Sequence, residues 1–197
     1  MNNTQNKTIV IYITARPGTG KYTIAKALAK DYGFRICDNQ LINNPILELL
    51  NYDGFTEVPE FAWVSIRKIR SAVWEFIANE KNNSYILTNN LFEYEGDRKL
   101  YEQVKQIALG RGSLFIPVRL TITEEEHLKR VTQPERRKRW KSIDPKEVYN
   151  EMPLLQIHDP ELLNLEVTNL SPEEAAEQIV EHVKSFNYNI SDLHFVK

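Results

Sequence analysis

The stretch from Ile9 to Thr23, IVIYITARPGTGKYT, restricts the possible folds more than any other part of this chain. Residues Ile9 to Ile13 are β-branched or aromatic with no polar alternation, the pattern of a strand covered on both faces. A sharp turn must follow. Gly18 and Gly20 allow backbone angles that side chains forbid, and they leave room for a ligand against the main chain. After Lys21, the spacing of Ile24, Ala25, Leu28 and Ala29 puts four apolar residues on one helical face. Strand, Gly-rich turn, Lys and helix together make a phosphate cradle. Loop amides and the helix N-terminus point at the anion, and the Lys adds a full positive charge. The alternative is an ordinary strand–turn–helix unit with no ligand; the agreement of spacing, Lys and flanking elements favours the cradle.

The segment Ala15-Arg-Pro-Gly-Thr-Gly-Lys-Tyr-Thr23 resembles the P-loop (Walker A) of adenylate kinase, shikimate kinase and chloramphenicol phosphotransferase relatives. The form there is GxPGxGK followed by small or hydroxyl residues. The resemblance implies that Pro17, Gly18, Thr19, Gly20, Lys21, Tyr22 and Thr23 bind the phosphates of ATP. Two positions depart from the pattern. Ala15 stands where the first Gly is usual. Tyr22 stands where a Ser or Thr usually offers its hydroxyl to Mg²⁺. Adenylate kinases also lack a hydroxyl directly after the Lys, and Thr23, one place on, resembles the Thr that contacts phosphate in that subgroup.

The 197 residues suffice for one domain with a real core, spanning 1–197. A net charge of −2 gives no global reason to expect nucleic acid or a membrane. The single cysteine, Cys37, excludes an internal disulfide or a Cys-based zinc site and fits a reducing interior, so a cytoplasmic location is expected. The apolar run before the turn is too short for a signal peptide or membrane span.

Beyond the first helix (about Lys21 to Tyr32), Gly33 is a suitable C-cap. Phe34 to Cys37 reads as a second strand ending at Asp38. A carboxylate there lies on the edge where open α/β sheets bind ligands, so Asp38 is a candidate general base or Mg²⁺ partner; the alternative is a solvated turn residue. Residues 39–62 carry little periodicity beyond a short apolar segment, Ile46 to Leu50. The resemblance makes them the region that covers the phosphate acceptor. Trp63 to Asn79 reads as a helix whose stripe is Trp63, Ile66, Ile69, Val73, Phe76 and Ile77. Ser84 to Thr88 reads as the third strand, ending at Asn89 and Asn90, where a Walker B strand ends in Asp. A helix follows from Asp97 to Leu109. The fourth strand, Leu114 to Leu120, contains Pro117, which cannot donate to a ladder and suggests a bulge.

Thr123 and Glu124 to Glu126 form an N-terminal capping pattern with acids at the positive end of a helix. The next stretch, KRVTQPERRKRWK from Lys129 to Lys141, holds seven basic residues and one acid. It resembles the mobile lid of the same kinases, spanning about 130–145. That resemblance implies Arg130 at the lid base beside the adenine, and Arg136 and Arg137 on phosphate, with Lys141 assisting. Arg suits this task because its planar fork binds phosphate oxygens in pairs. The alternatives are a solvated basic turn, or an RNA-binding patch with Trp140 as a stacking ring. Pro145 to Met152 reads as a short helix and Leu165 to Thr168 as the last strand. Ser171-Pro172-Glu173-Glu174 opens the final helix as cap, first-turn proline and capping-box Glu. In the tail, Leu193, Phe195 and Val196 are candidates to dock on the domain.

Alternating strands and helices predict a parallel sheet with helices on both faces. The resemblance implies the three-layer α/β/α P-loop kinase-like fold, with five strands in the order 2-3-1-4-5 and an Arg-rich lid. It further implies transfer of the ATP γ-phosphate to a small-molecule or nucleotide acceptor. Lys21 and the loop amides would hold phosphate, Thr23 and Asp38 would serve Mg²⁺, and Asp38 would take the acceptor's proton. Arg130, Arg136 and Arg137 would close from the lid. Two rivals stand beside this reading: nucleotide binding with weak or no turnover, and a P-loop kinase acting on RNA or another polynucleotide. The sequence carries no signal for the acceptor, the base preference or the oligomeric state.

Overall fold

The computed structural model describes residues 8–186; the expected docking of Leu193, Phe195 and Val196 lies outside them. The first strand, β1 (Ile9–Thr14), is wholly buried and forms the centre of the molecule. It pairs in parallel with β3 (Tyr85–Asn89) on one side and β4 (Leu114–Thr121) on the other. Outside these lie β2 (Arg35–Asp38) and β5 (Leu163–Glu166), which gives the order β2-β3-β1-β4-β5. All four ladders are parallel.

A strand's side chains alternate between faces, and β1 feeds two separate cores in this way. Ile9, Ile11 and Ile13 pack with α1 (Lys21–Tyr32) and α6 (Pro172–Lys184), through Ile24, Leu28, Ile179 and Val183. Val10 and Tyr12 face the other layer, which includes α3 (Glu60–Asn79) and α4 (Glu95–Gly110), through Ile66, Trp74, Ile77, Tyr101 and Val104. Each large apolar side chain fully buried here contributes roughly 1.5–3 kcal/mol relative to exposure. Such double coverage explains why β1 tolerates no polar alternation. Tyr12 is the one polar-tipped residue in the run, and its hydroxyl donates to Asn89 Oδ1 at 3.1 Å.

Several local readings need correction. Residues 39–49 are not irregular: they form α2 (Asn39–Leu49), with Pro45 inside the helix. The helix starts because the Asp38 side chain caps it, accepting the Leu41 amide at 3.1 Å. On α3, Phe76 is exposed and Trp74 takes the buried place. Pro117 produces no bulge. Residues Ile9 to Thr14 pair one for one with Leu114 to Arg119, and β5 joins β4 only from Val118 onward. The last strand sits two residues earlier than expected, because Leu163 pairs with Val118. The helix expected over Pro145 to Met152 shrinks to a 3₁₀ turn, Pro145–Glu147. The capping box of α6 forms as the sequence predicts, with Ser171 Oγ accepting the Glu174 amide and the Glu174 carboxylate accepting the Ser171 amide.

Cys37 is a free, buried thiol on β2, and burial pushes its pKa up to about 11. No helix among the described residues is long and apolar enough to cross a membrane.

Candidate active site

The turn after β1 brings the chain back over the end of the sheet. Gly18 and Gly20 have φ of 88° and 114°, a left-handed region that favours glycine. Gly20 is the N-cap of α1, so the first amides of that helix have no intrahelical partner and face the turn. Lys21 Nζ donates to Ala15 O and Arg16 O, both at 2.9 Å, closing the turn on itself. Thr19 and Thr23 also serve the backbone; their hydroxyls donate to Arg16 O at 2.9 Å and Gly20 O at 2.7 Å.

A short helix, α5 (Glu124–Val131), clamps the turn from outside. Val131 packs so close to Gly18 that a Cβ there would lie 3.0 Å from Val131 Cβ. His127 Nε2 sits 2.5 Å from Pro17 O. The carbonyl can only accept, so Nε2 carries the proton, and burial lowers the pKa of His127 and favours the neutral ring. Arg130 is similarly committed. It donates to Glu126 Oε1 at 2.8 Å, Thr19 O at 3.2 Å, and Val167 O and Thr168 O at 3.2 and 3.0 Å. Those bonds use four of the five guanidinium N–H groups. Arg130 therefore straps the phosphate turn to the segment after β5, while its edge still borders the cavity.

Beyond α5 the chain forms a 3₁₀ turn, Pro134–Arg139. With three residues per turn, positions i and i+3 eclipse. Arg136 and Arg139 therefore share a side and both line the cavity, while Arg137 points elsewhere. Arg137, expected on phosphate, lies with its guanidinium over the Phe55 ring, 5.4 Å from the centroid. Trp140 ends the turn in a left-handed conformation, φ 53°. Its amide donates to Arg137 O, and the Lys141 amide reaches back to Arg136 O, the paired bonds of a Schellman-type stop. This reversal directs Lys141 into the cavity.

Under these elements lies a cavity of about 560 Å³. Lys21, Arg130, Arg136, Arg139 and Lys141 supply cations to its walls, and Asp38, Glu135 and Glu147 supply carboxylates. Asn39, Gln40, Thr88 and Asn90 line it near the ends of β2 and β3, while Val167, Leu170 and Pro172 form an apolar part. The cations crowd one another. Burial, then Lys141 and Arg136, hold Lys21 well below the usual lysine range. Burial and the neighbouring Arg139 push Lys141 down to about 8. A polyanion in the cavity would relieve both effects.

Asp38 is buried, 3% exposed. One carboxylate oxygen caps α2, and the other accepts Arg139 Nη2 at 2.9 Å. Arg139 in turn lies over the Tyr22 ring, 3.3 Å from its centroid, with Lys141 Nζ at 5.0 Å from the same ring. Arg139 was not singled out in the sequence; its i+3 relation to Arg136 was the available signal. Thr23 is exposed and its hydroxyl is engaged with Gly20 O. At the end of β3, Asn89 bonds Tyr12 and Asn39. Among the described residues no three His, Cys, Asp or Glu side chains gather as a metal site. Thr23 and Asp38, expected to serve Mg²⁺, are turned to protein partners here, the Thr23 hydroxyl to Gly20 O and the Asp38 carboxylate to Arg139 and the Leu41 amide.

No protein-family model matches the chain, and no curated protein matches it either. Solved structures do match over nearly its whole length. A candidate kinase from Chloroflexus aurantiacus J-10-fl superposes with a TM-score of 0.66 at 16% identity, over 92% of this chain and 98% of the other. A gluconokinase from Sinorhizobium meliloti 1021 gives 0.60 at 11% identity, over 90% and 93%. The adenylylsulfate (APS) kinase of Mycobacterium tuberculosis, in complex with AMPPNP and APS, gives 0.54 at 14% identity, over 90% and 98%. At such identities the likeness establishes a shared fold: the five-stranded parallel sheet of order 2-3-1-4-5, layered by helices, is that of the P-loop kinases.

Proposed function

We propose that the chain is an ATP-dependent phosphotransferase that moves the γ-phosphate to a small hydroxyl-bearing acceptor. One observation carries this reading: a left-handed Gly turn capped by Lys21 opens into a single cavity where four further cations converge. A fold shared with kinases of gluconate and adenylylsulfate supports it, as does the nucleotide analogue bound in the latter.

In this mechanism Pro17 shapes the turn, and Gly18, Thr19, Gly20, Tyr22 and Thr23 wrap the β- and γ-phosphates with main-chain donors. Lys21 exchanges its two backbone carbonyls for phosphate oxygens. Arg136 and Arg139 neutralise charge that develops on the moving phosphoryl group, and Lys141 adds to them. Arg130 holds the loop in shape and borders the adenine beside Val167, Leu170 and Pro172. Asp38 keeps spare lone pairs on both oxygens, so it can accept the acceptor's hydroxyl proton as the oxygen attacks phosphorus. Mg²⁺ that arrives on the triphosphate would add positive charge there; the protein's own part is placement and charge neutralisation. Asn39, Gln40 and Asn90 line the cavity near the ends of β2 and β3 and are assigned to the acceptor.

The test is calorimetric titration of ATP into the native chain and Lys21→Ala, followed by an acceptor panel read as ADP release. Micromolar binding that weakens at least about tenfold in the variant is expected. No binding by either protein would defeat the reading. A second reading, binding without turnover, draws on Asn89: the β3 terminus carries an amide tied to Tyr12 and Asn39 rather than a free carboxylate. ATP binding with no acceptor-dependent ADP release across the panel would favour it.

A further inference from the structure

We infer that Tyr22 positions Arg139 so that the chain binds a nucleoside triphosphate without needing a divalent metal ion. This rests on the reading above, that the cavity takes such a nucleotide. The residue after the P-loop Lys is the place from which a side-chain hydroxyl would reach a metal. Here that place holds an aromatic ring, and the ring's face is covered by a guanidinium 3.3 Å from its centroid. Lys141 Nζ approaches the same ring at 5.0 Å. Protonated, Arg139 and Lys141 carry the two positive charges of one divalent ion. They are held by cation–π attraction, which strengthens as water is excluded.

Arg139 is also only half used. Nη2 donates to Asp38, whereas Nη1 is buried with no hydrogen-bond partner among the described residues. A buried donor without a partner is costly, and this one belongs to a residue that lines the cavity. A phosphate oxygen would satisfy it with a charge-assisted bond. Of the other candidate metal ligands, Asp38 is already charge-compensated by Arg139, so a metal would have to compete with that pair, and the Thr23 hydroxyl is turned toward Gly20 O. In this arrangement Tyr22 is a positioning residue: it acts on phosphate through Arg139.

The experiment is calorimetric titration of ATP into the full chain, once in EDTA and once in Mg²⁺. The proteins are the native form, Tyr22→Phe, Tyr22→Ser and Arg139→Ala. The native affinities in the two buffers should agree within about threefold, and Tyr22→Phe, which keeps the ring, should preserve that ratio. Tyr22→Ser and Arg139→Ala should weaken binding by about tenfold or more in EDTA and recover part of it in Mg²⁺. A merely structural role for the Tyr22–Arg139 stack would weaken both conditions equally and leave the ratio unmoved, which overturns the inference. Native binding at least about tenfold tighter with Mg²⁺ also overturns it, while leaving the nucleotide reading intact. Absence of native binding in both buffers removes the nucleotide reading itself.

Discussion

Nucleotide affinity should fall with rising pH through the titration of Lys141. Burial and the proximity of Arg139 hold this ammonium at about 8 in the free protein, against about 10.4 for an unperturbed lysine. A triphosphate beside it supplies the missing counter-charge and raises the value in the complex. Only the protonated form attracts the anion, so affinity is fully present below about pH 7 and is lost as pH climbs through 8. With the complex titrating near the ordinary value, the protonated fraction falls from about nine-tenths at pH 7 to about one-tenth at pH 9, so affinity falls about tenfold. Phosphate's own second ionisation, near pH 6, is largely over by then. At pH 8 binding should take up roughly half a proton, measurable by calorimetry in buffers of different ionisation enthalpy. Lys21 is shifted in the same direction and steepens the native profile. Lys141→Met should bind more weakly at pH 7 and show a shallower decline. A native affinity that is flat from pH 7 to 9, or a decline undiminished in Lys141→Met, would refute the reasoning.

Other perturbations separate the parts of the site. Gly18→Ala forces a side chain into a left-handed position 3.0 Å from Val131 Cβ; it should cost at least about 1 kcal/mol in urea unfolding and abolish ATP binding. Arg136→Ala should weaken ATP binding by about tenfold, whereas Arg137→Ala, removed from the cavity and stacked on Phe55, should change it by less than about twofold. Ser171→Ala removes the α6 cap and should lower unfolding stability by about 1 kcal/mol with no effect on nucleotide titrations. Leu28→Ala empties a fully buried site between α1 and the sheet and should cost about 2–5 kcal/mol by the same unfolding assay.

The sheet and the phosphate turn were legible because their physics is local. β1 shows two-sided burial in five consecutive residues, and the glycines mark the left-handed turn directly. Asp38 and Lys21 could be found because their type and their place at a strand end or helix start agree. α2 is hidden because Asn-rich composition and Pro45 argue against a helix, although Asp38, directly before it, is a suitable N-cap. Trp74 and Phe76 exchanged places because amphipathic spacing fixes a stripe only to within about one residue. The basic stretch is legible as a unit, but which of its arginines besides Arg136 line the cavity is not. Adjacent arginines look alike in sequence, and a 3₁₀ pitch, not an α-helical one, decides which of them share a face.

That pitch has a consequence for how this segment can change over time. Surface connections usually accept altered length more readily than buried elements do. Between Arg136 and Arg139 the reverse holds. Arg137 and Lys138 are exposed and free to vary in chemistry, but adding or removing one residue turns Arg139 by about a third of a revolution. That rotation would take it off Tyr22 and Asp38 together. Lineages that keep this site should therefore vary the letters of the turn while conserving its count.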